Sequence, residues 1–135
     1  MGEDSVVTMP DTLVMYVDGP AGKPIGEQAP IAFAELEAKL PSLKRRKFYA
    51  VVLGGRYRAC VAVEPTDETV ALPHPTWTLP GGKFVRRRIA EWEEHRDRIG
   101  PTFAALRARA DSDPSRPGIE FYRSQQELQV LVPVR

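Results

Sequence analysis

The chain has 135 residues, with 19 Lys plus Arg against 18 Asp plus Glu and a formal net charge of +1, which suits one domain and gives no global field to draw in nucleic acid or an anionic membrane. Leu, Ile, Val and Phe fill 33 positions, about 24% of the chain and above the roughly 20% below which disorder is the expectation. A single cysteine, Cys60, with only His74 and His95 beside it, excludes a disulfide framework and leaves too few ligands for a structural zinc site, while the acidic start and the lack of a long apolar run point to a soluble cytoplasmic protein without metal or cofactor.

In chain order, Thr12 to Val17 is rich in strand formers and reads as the first strand. A helix is expected over 31–43, with Phe33, Leu36 and Leu40 on one face and Pro30 in its first turn. A hairpin follows, with Phe48 to Leu53 and Tyr57 to Val63 as its strands and Gly54-Gly55 as its turn. Pro65 to Pro80 reads as a proline-rich connection. Gly82 to Arg87 then repeats the first strand at a spacing of 70, and Phe103, Leu106 and Ala110 repeat the helix face over 99–110. A second hairpin closes the chain, Ile119 to Tyr122 and Leu128 to Val134 around Ser124-Gln125-Gln126, with Leu128, Val130, Val132 and Val134 alternating on one face.

The expected fold is therefore α+β: two β-α-β-β halves, about 10–64 and 81–134 around the 65–80 connection, related by a pseudo-twofold in one domain spanning 1–135. Its antiparallel sheet carries both helices on one face. Alternation with Phe48 and Phe121 places Lys47, Tyr49, Glu120 and Tyr122 on the opposite, cleft-bearing face, and puts Phe33, Phe103, Phe48 and Phe121 in the core.

Three stretches carry a resemblance to a family. Pro117-Gly118-Ile119-Glu120-Phe121-Tyr122 resembles a "P-x-x-E-x-Y" motif, Val130-Leu131-Val132-Pro133-Val134 an "ei-x-iPv" ending, and Leu79-Pro80-Gly81-Gly82-Lys83-Phe84 an "iPaGkY" strand entry. Together with the doubled β-α-β-β order they resemble the GyrI-like small-molecule-binding domains, which are related to the effector-binding domains of AraC-type and MerR-type multidrug regulators. The resemblance covers about residues 10–134. It implies a pocket between the halves, lined by aromatics, with an acidic residue at its floor; the matching position is Glu120. It implies binding of a hydrophobic, aromatic drug, toxin or xenobiotic whose polar or cationic part meets that acid, giving sequestration or resistance. Alternatively it implies hydrolysis of a cyclopropane-bearing DNA alkylator in an aromatic cage, as in one subfamily. One family member is associated with DNA gyrase, so a macromolecular partner is a third reading, one that would need an exposed patch the sequence does not reveal. No helix-turn-helix precedes the domain, which argues against a transcription factor.

The residues themselves bear on these readings. An ionised Glu120 on a central strand is costly unless paired or used, and its structural alternative is a half-exposed strand residue or a partner for Lys47. Tyr16, Tyr49, Trp77, Trp92 and Tyr122 are candidates for ligand contacts, because flat rings stack on planar molecules and hold cations. Tyr49 and Tyr122 read as matching repeat positions beside Glu120, and if the protein is an enzyme these two and Glu120 are the catalytic candidates. Trp77 reads as a loop residue, and loops carry function. Trp92 follows a strand end and either caps a pocket or covers the second helix. The basic runs at 44–47 and 86–88 invite nucleic acid, but a helix C-terminus suits the first and Glu91, Glu93, Glu94 and Asp97 offset the second. Cys60 and Ser124 have no neighbouring His to make a nucleophile, and Gly54-Gly55 and Gly81-Gly82 are turn glycines outside any strand-loop-helix phosphate site.

Overall fold

The computed structural model describes residues 4–67 and 72–135; part of the expected 65–80 connection lies outside them. The fold is α+β, with eight antiparallel strands and two α-helices among the described residues. Two compact units divide the chain, one of Thr12–Leu79 and one of Met1–Asp11 with Pro80–Arg135. Among the described residues no helix is long and apolar enough to cross a membrane.

Among the described residues, the Thr12–Leu79 unit has four strands. Strand β2 (Thr12–Asp18) pairs with β4 (Arg56–Ala62) and β5 (Thr76–Leu79), and β4 pairs with β3 (Phe48–Leu53). Gly54 and Gly55 close the β3–β4 hairpin at φ 56° and 79°, positive values that a two-residue turn of matching twist requires. β5 falls inside the expected connection. Bounded by Pro75 and Pro80, it pairs on one side only within this sheet, the position where flanking prolines are tolerated.

Helix α1 spans Ile25–Ala38, six residues earlier than the expected start at 31 and five short of the expected end at 43. Pro41 sets the end, since the residue before a proline is pushed out of helical geometry. The start is fixed by Gln28, fully buried. Its Nε2 donates to Lys23 O at 2.8 Å and Gly55 O at 3.1 Å, and its Oε1 accepts from Tyr57 N at 2.9 Å. These bonds tie the first turn to the hairpin and hold helical geometry through Pro30, which inside a helix forfeits a backbone hydrogen bond. Gly19 makes room, because a Cβ there would stand 2.6 Å from the Gln28 Cβ. The helix packs on β4 and β2, burying Ala32 and Leu36, while Phe33 meets the rings of Phe48 and Tyr57 edge-on at 6.2 and 6.0 Å. At its other end the buried His74 ring donates from Nε2 to Leu36 O at 3.0 Å, satisfying a carbonyl that the helix terminus leaves without a partner.

The other unit orders its strands β1 (Ser5–Met9), β6 (Gly82–Ala90), β8 (Glu127–Pro133) and β7 (Ile119–Tyr122). β1 lies ahead of the first expected half, about 10–64, and is not among the expected strands. Trp92–Glu94 and Arg96–Arg98 are single 3₁₀ turns leading into α2 (Ile99–Arg107), which stops three residues before the expected 110. Leu106 sits in a core of Val85, Ile89, Leu128, Val130, Val132 and Val134, so the alternation read along the last strand does define the helix-facing side. α1 buries Ala32 and Leu36 and α2 buries Thr102 and Leu106, each pair 70 positions apart.

Candidate functional site

In the Thr12–Leu79 unit, strand register assembles a polar and aromatic face on the side away from α1. Tyr16 lies opposite Cys60, which lies opposite Tyr49, so the three side chains share one row across β2, β4 and β3. The next row sets Asp18 opposite Arg58, and on the other side Val14 stands opposite Trp77. Trp77 is thus a strand residue and not the loop residue expected; its ring direction is fixed by the β2–β5 ladder.

Burial is greatest at the Tyr49 end. Tyr49 is 5% exposed and Cys60 fully buried; burial, with the nearby Glu64 charge, holds the Tyr49 phenol above its ordinary range, and burial pushes the Cys60 thiol up to about 12. Tyr16 and Trp77 are half-buried. Between these and Asp18 lies Arg58, which nothing in the sequence singles out. Its guanidinium grips Asp18 through Nε–Oδ1 at 2.7 Å and a second nitrogen to Oδ2 at 3.0 Å, a planar two-point pair. The same guanidinium carbon stands 4.0 Å from the Tyr16 ring centroid and 4.9 Å from that of Trp77, both within the roughly 6 Å reach of a cation–π interaction. The hydrogen bond to Asp18 raises the Arg58 pKa further, so this cation is permanent.

The second unit brings Glu120, Tyr122 and Trp92 together. The Tyr122 hydroxyl donates to Glu120 Oε1. The Trp92 and Tyr122 rings meet edge-on at 5.0 Å and 72°, Trp92 Nε1 donates to Ser124 O at 3.0 Å, and Arg96 stands over the Trp92 ring at 5.2 Å. Both rings pack against the core that holds Leu106, beside Ile99 and Phe103. This corrects the expected face: Glu120 and Tyr122 pair with Val130 and Leu128 and so lie on the α2 side, with Phe121 opposite. Gly118, two residues before Glu120, confirms the direction, since a Cβ there would stand 2.8 Å from the Phe103 ring. Tyr49, facing away from α1, is accordingly not the counterpart of Tyr122. Trp92 packs against the α2 core.

The basic runs are partly neutralised, by partners other than those expected. Arg87 forms a two-point pair with Asp4 at 2.7 and 2.9 Å, Arg88 stands 3.8 Å from Glu127, and Arg46 pairs with Asp67 at 2.8 Å. Among the described residues no three His, Cys, Asp or Glu side chains are grouped to hold a metal.

No protein-family model matches the sequence, and no curated protein matches it. Solved structures do. An integron cassette protein from the mobile metagenome of Vibrio cholerae superposes with a TM-score of 0.72 at 12% identity, over 98% of this chain and 95% of that one. SAV2435 bound to tetraphenylphosphonium matches at 0.58 and 14% identity, over 98% and 94%. A putative bacterial transcription regulation protein from Staphylococcus aureus MU50 matches at 0.55 and 14%, over 98% of each chain. Superposition over nearly the whole of each chain shows a shared fold, and at identities this low it shows the fold alone.

Proposed function

We propose that the protein is a GyrI-like domain that binds a hydrophobic, aromatic, cationic small molecule. The observation that carries this reading is the Tyr16 and Trp77 pair already engaged with a cation beside a carboxylate, Asp18, which is the chemistry such a ligand needs. Glu120 under Tyr122 and Trp92 supplies a second acidic and aromatic group. The fold shared with a protein whose structure holds tetraphenylphosphonium supports the same ligand class. The common 70-residue spacing of the buried helix positions supports a duplicated β-α-β-β plan. Sequestration of a drug or toxin is the role this binding would serve.

Isothermal titration of the chain with tetraphenylphosphonium tests the reading. Saturable binding is expected, and heat no greater than dilution would refute it. The hydrolase alternative rests on the Tyr122–Glu120 hydrogen bond, which could hold and move a proton. Incubation with a strained alkylating natural product, followed by mass spectrometry, separates the two: ligand recovered unchanged means binding, and a product heavier by one water means hydrolysis.

A further inference from the structure

The engagement of Tyr16 and Trp77 by Arg58 has a consequence for any ligand of that face. We propose that Arg58 is a built-in competitor: its guanidinium occupies a cation site made by Tyr16, Trp77 and Asp18, and a planar delocalised cation binds there by displacing it. This rests on the cation-binding reading above and adds the resident group with which a ligand must exchange, together with Asp18 as the counter-charge on this face.

The contacts of Arg58 are of a kind that a ligand can take over. Arg116 stands 3.4 Å from Asp113 and over Phe84, but it also donates to three backbone carbonyls, those of Gly81, Lys83 and Val134; those bonds lock fixed main chain that no small molecule would replace in kind. The fork of Arg58 goes to one side-chain carboxylate and two ring faces. The Arg58 and Asp18 side chains are 18% and 27% exposed, so solvent reaches the pair and exchange needs no unfolding. When a ligand cation enters, Asp18 keeps a positive partner, the rings keep a cation, and the Arg58 head moves into water on its flexible stem. Charge is conserved at the site.

Selectivity follows from the tether. A side chain anchored at the site competes at an effective concentration of the order of millimolar. A small hydrated cation that reproduces only the guanidinium contacts therefore gains nothing below that range. An aryl amidinium adds buried apolar area to the same planar, two-point charge and displaces Arg58. The site thus discriminates by the apolar surface carried with the charge.

Benzamidinium is the probe, titrated calorimetrically into the wild type, Arg58→Gln, Arg58→Lys and Arg58→Gln/Asp18→Asn, with near-UV circular dichroism as the check on folding. Removing a competitor that fills the site nine-tenths of the time strengthens binding about tenfold, and this is expected for Arg58→Gln. Arg58→Lys should fall between, because a compact, strongly hydrated ammonium cannot make the planar two-point pair; if Arg58→Gln does not fold, this variant carries the test. Adding Asp18→Asn should cancel the gain. A folded Arg58→Gln or Arg58→Lys that binds benzamidinium no better than the wild type overturns the proposal, as does a gain that survives Asp18→Asn. Tetraphenylphosphonium titrated in parallel keeps the two readings apart. Binding of it by the wild type without any gain for benzamidinium defeats the competitor alone, whereas no binding of either cation by any variant defeats the cation reading as well.

Discussion

The rings of Trp92 and Tyr122 meet edge-on at 5.0 Å while the Tyr122 hydroxyl donates to Glu120, so one side chain joins an acid to the α2 core. The arrangement makes different predictions for its two ends. Glu120→Gln keeps an acceptor for Tyr122 and removes a charge that is costly to bury, so the unfolding free energy should change by no more than about 1 kcal/mol. Affinity for tetraphenylphosphonium should fall about tenfold, or about 1.4 kcal/mol. Unfolding of Glu120→Gln would show that the carboxylate is a structural partner and remove it from the site. Tyr122→Phe keeps the edge-on ring contact and isolates the hydroxyl. If the protein hydrolyses its ligand, that change should lower the saturated rate by ~10²-fold with little change in binding.

Gln28 makes a stability prediction. Gln28→Leu nearly conserves volume but strips partners from Tyr57 N, Lys23 O and Gly55 O at a fully buried position. Buried polar groups left unsatisfied cost about 1–3 kcal/mol each where water cannot reach them. The net loss should be about 3 kcal/mol, seen as a fall in thermal midpoint of roughly 10 °C. A fall of under about 2 °C would mean that α1 is held by its other contacts, those of Ala32, Phe33 and Leu36 among them, without Gln28.

These two clusters show what the sequence can and cannot reveal. Period-two alternation along Leu128 to Val134 was readable because every second residue enters the α2 core, and Gly54-Gly55 was readable because a tight hairpin demands positive φ. The start of α1 was not, since Pro30 mimics a first-turn proline and only the long-range bonds of Gln28 carry the helix past it. Tyr49 and Tyr122 are 73 positions apart whereas the helices repeat at 70, and an odd displacement along a strand turns a side chain to the other face. Arg58 and Asp18 are 40 positions apart. Only the β2–β4 register joins them, and register is a property of pairing that neither segment shows alone.

Gly81 differs from the hairpin glycines in that its constraint is space. A Cβ there would stand 2.3 Å from Met9 O and 2.4 Å from the Pro10 carbonyl carbon, main-chain atoms that cannot swing aside, while its N–H donates to Asp11 Oδ1 at 2.7 Å. Gly81→Ala must therefore push β1 away from the start of β6. Overpacking of this kind costs about 1–3 kcal/mol, and amide exchange should rise first in Ser5–Met9. Unchanged protection of β1 would show that the chain relaxes elsewhere.

The buried thiol of Cys60 gives a pH dependence of definite sign. Burial is the largest cause of its rise to about 12, the Asp18 charge adds to it, and Arg58 opposes it. In the unfolded chain the thiol ionises near its ordinary value, about 8.5, so above that pH the unfolded state has released a proton that the native state still holds. Stability then falls as pH rises from about 8.5 toward the folded value, because the native state binds more protons than the unfolded one. Cys60→Ala should flatten that alkaline slope in urea titrations between pH 8 and 10, although it costs some packing at every pH. A slope identical in the variant would assign the alkaline loss to other groups, Tyr49 first among them, since its phenol is also held above its ordinary range. Reaction with a thiol reagent gives an independent readout. With the side chain fully buried and protonated, labelling at pH 8 should follow the fraction of chains opened by denaturant, and prompt labelling of the native protein would contradict both the burial and the shift.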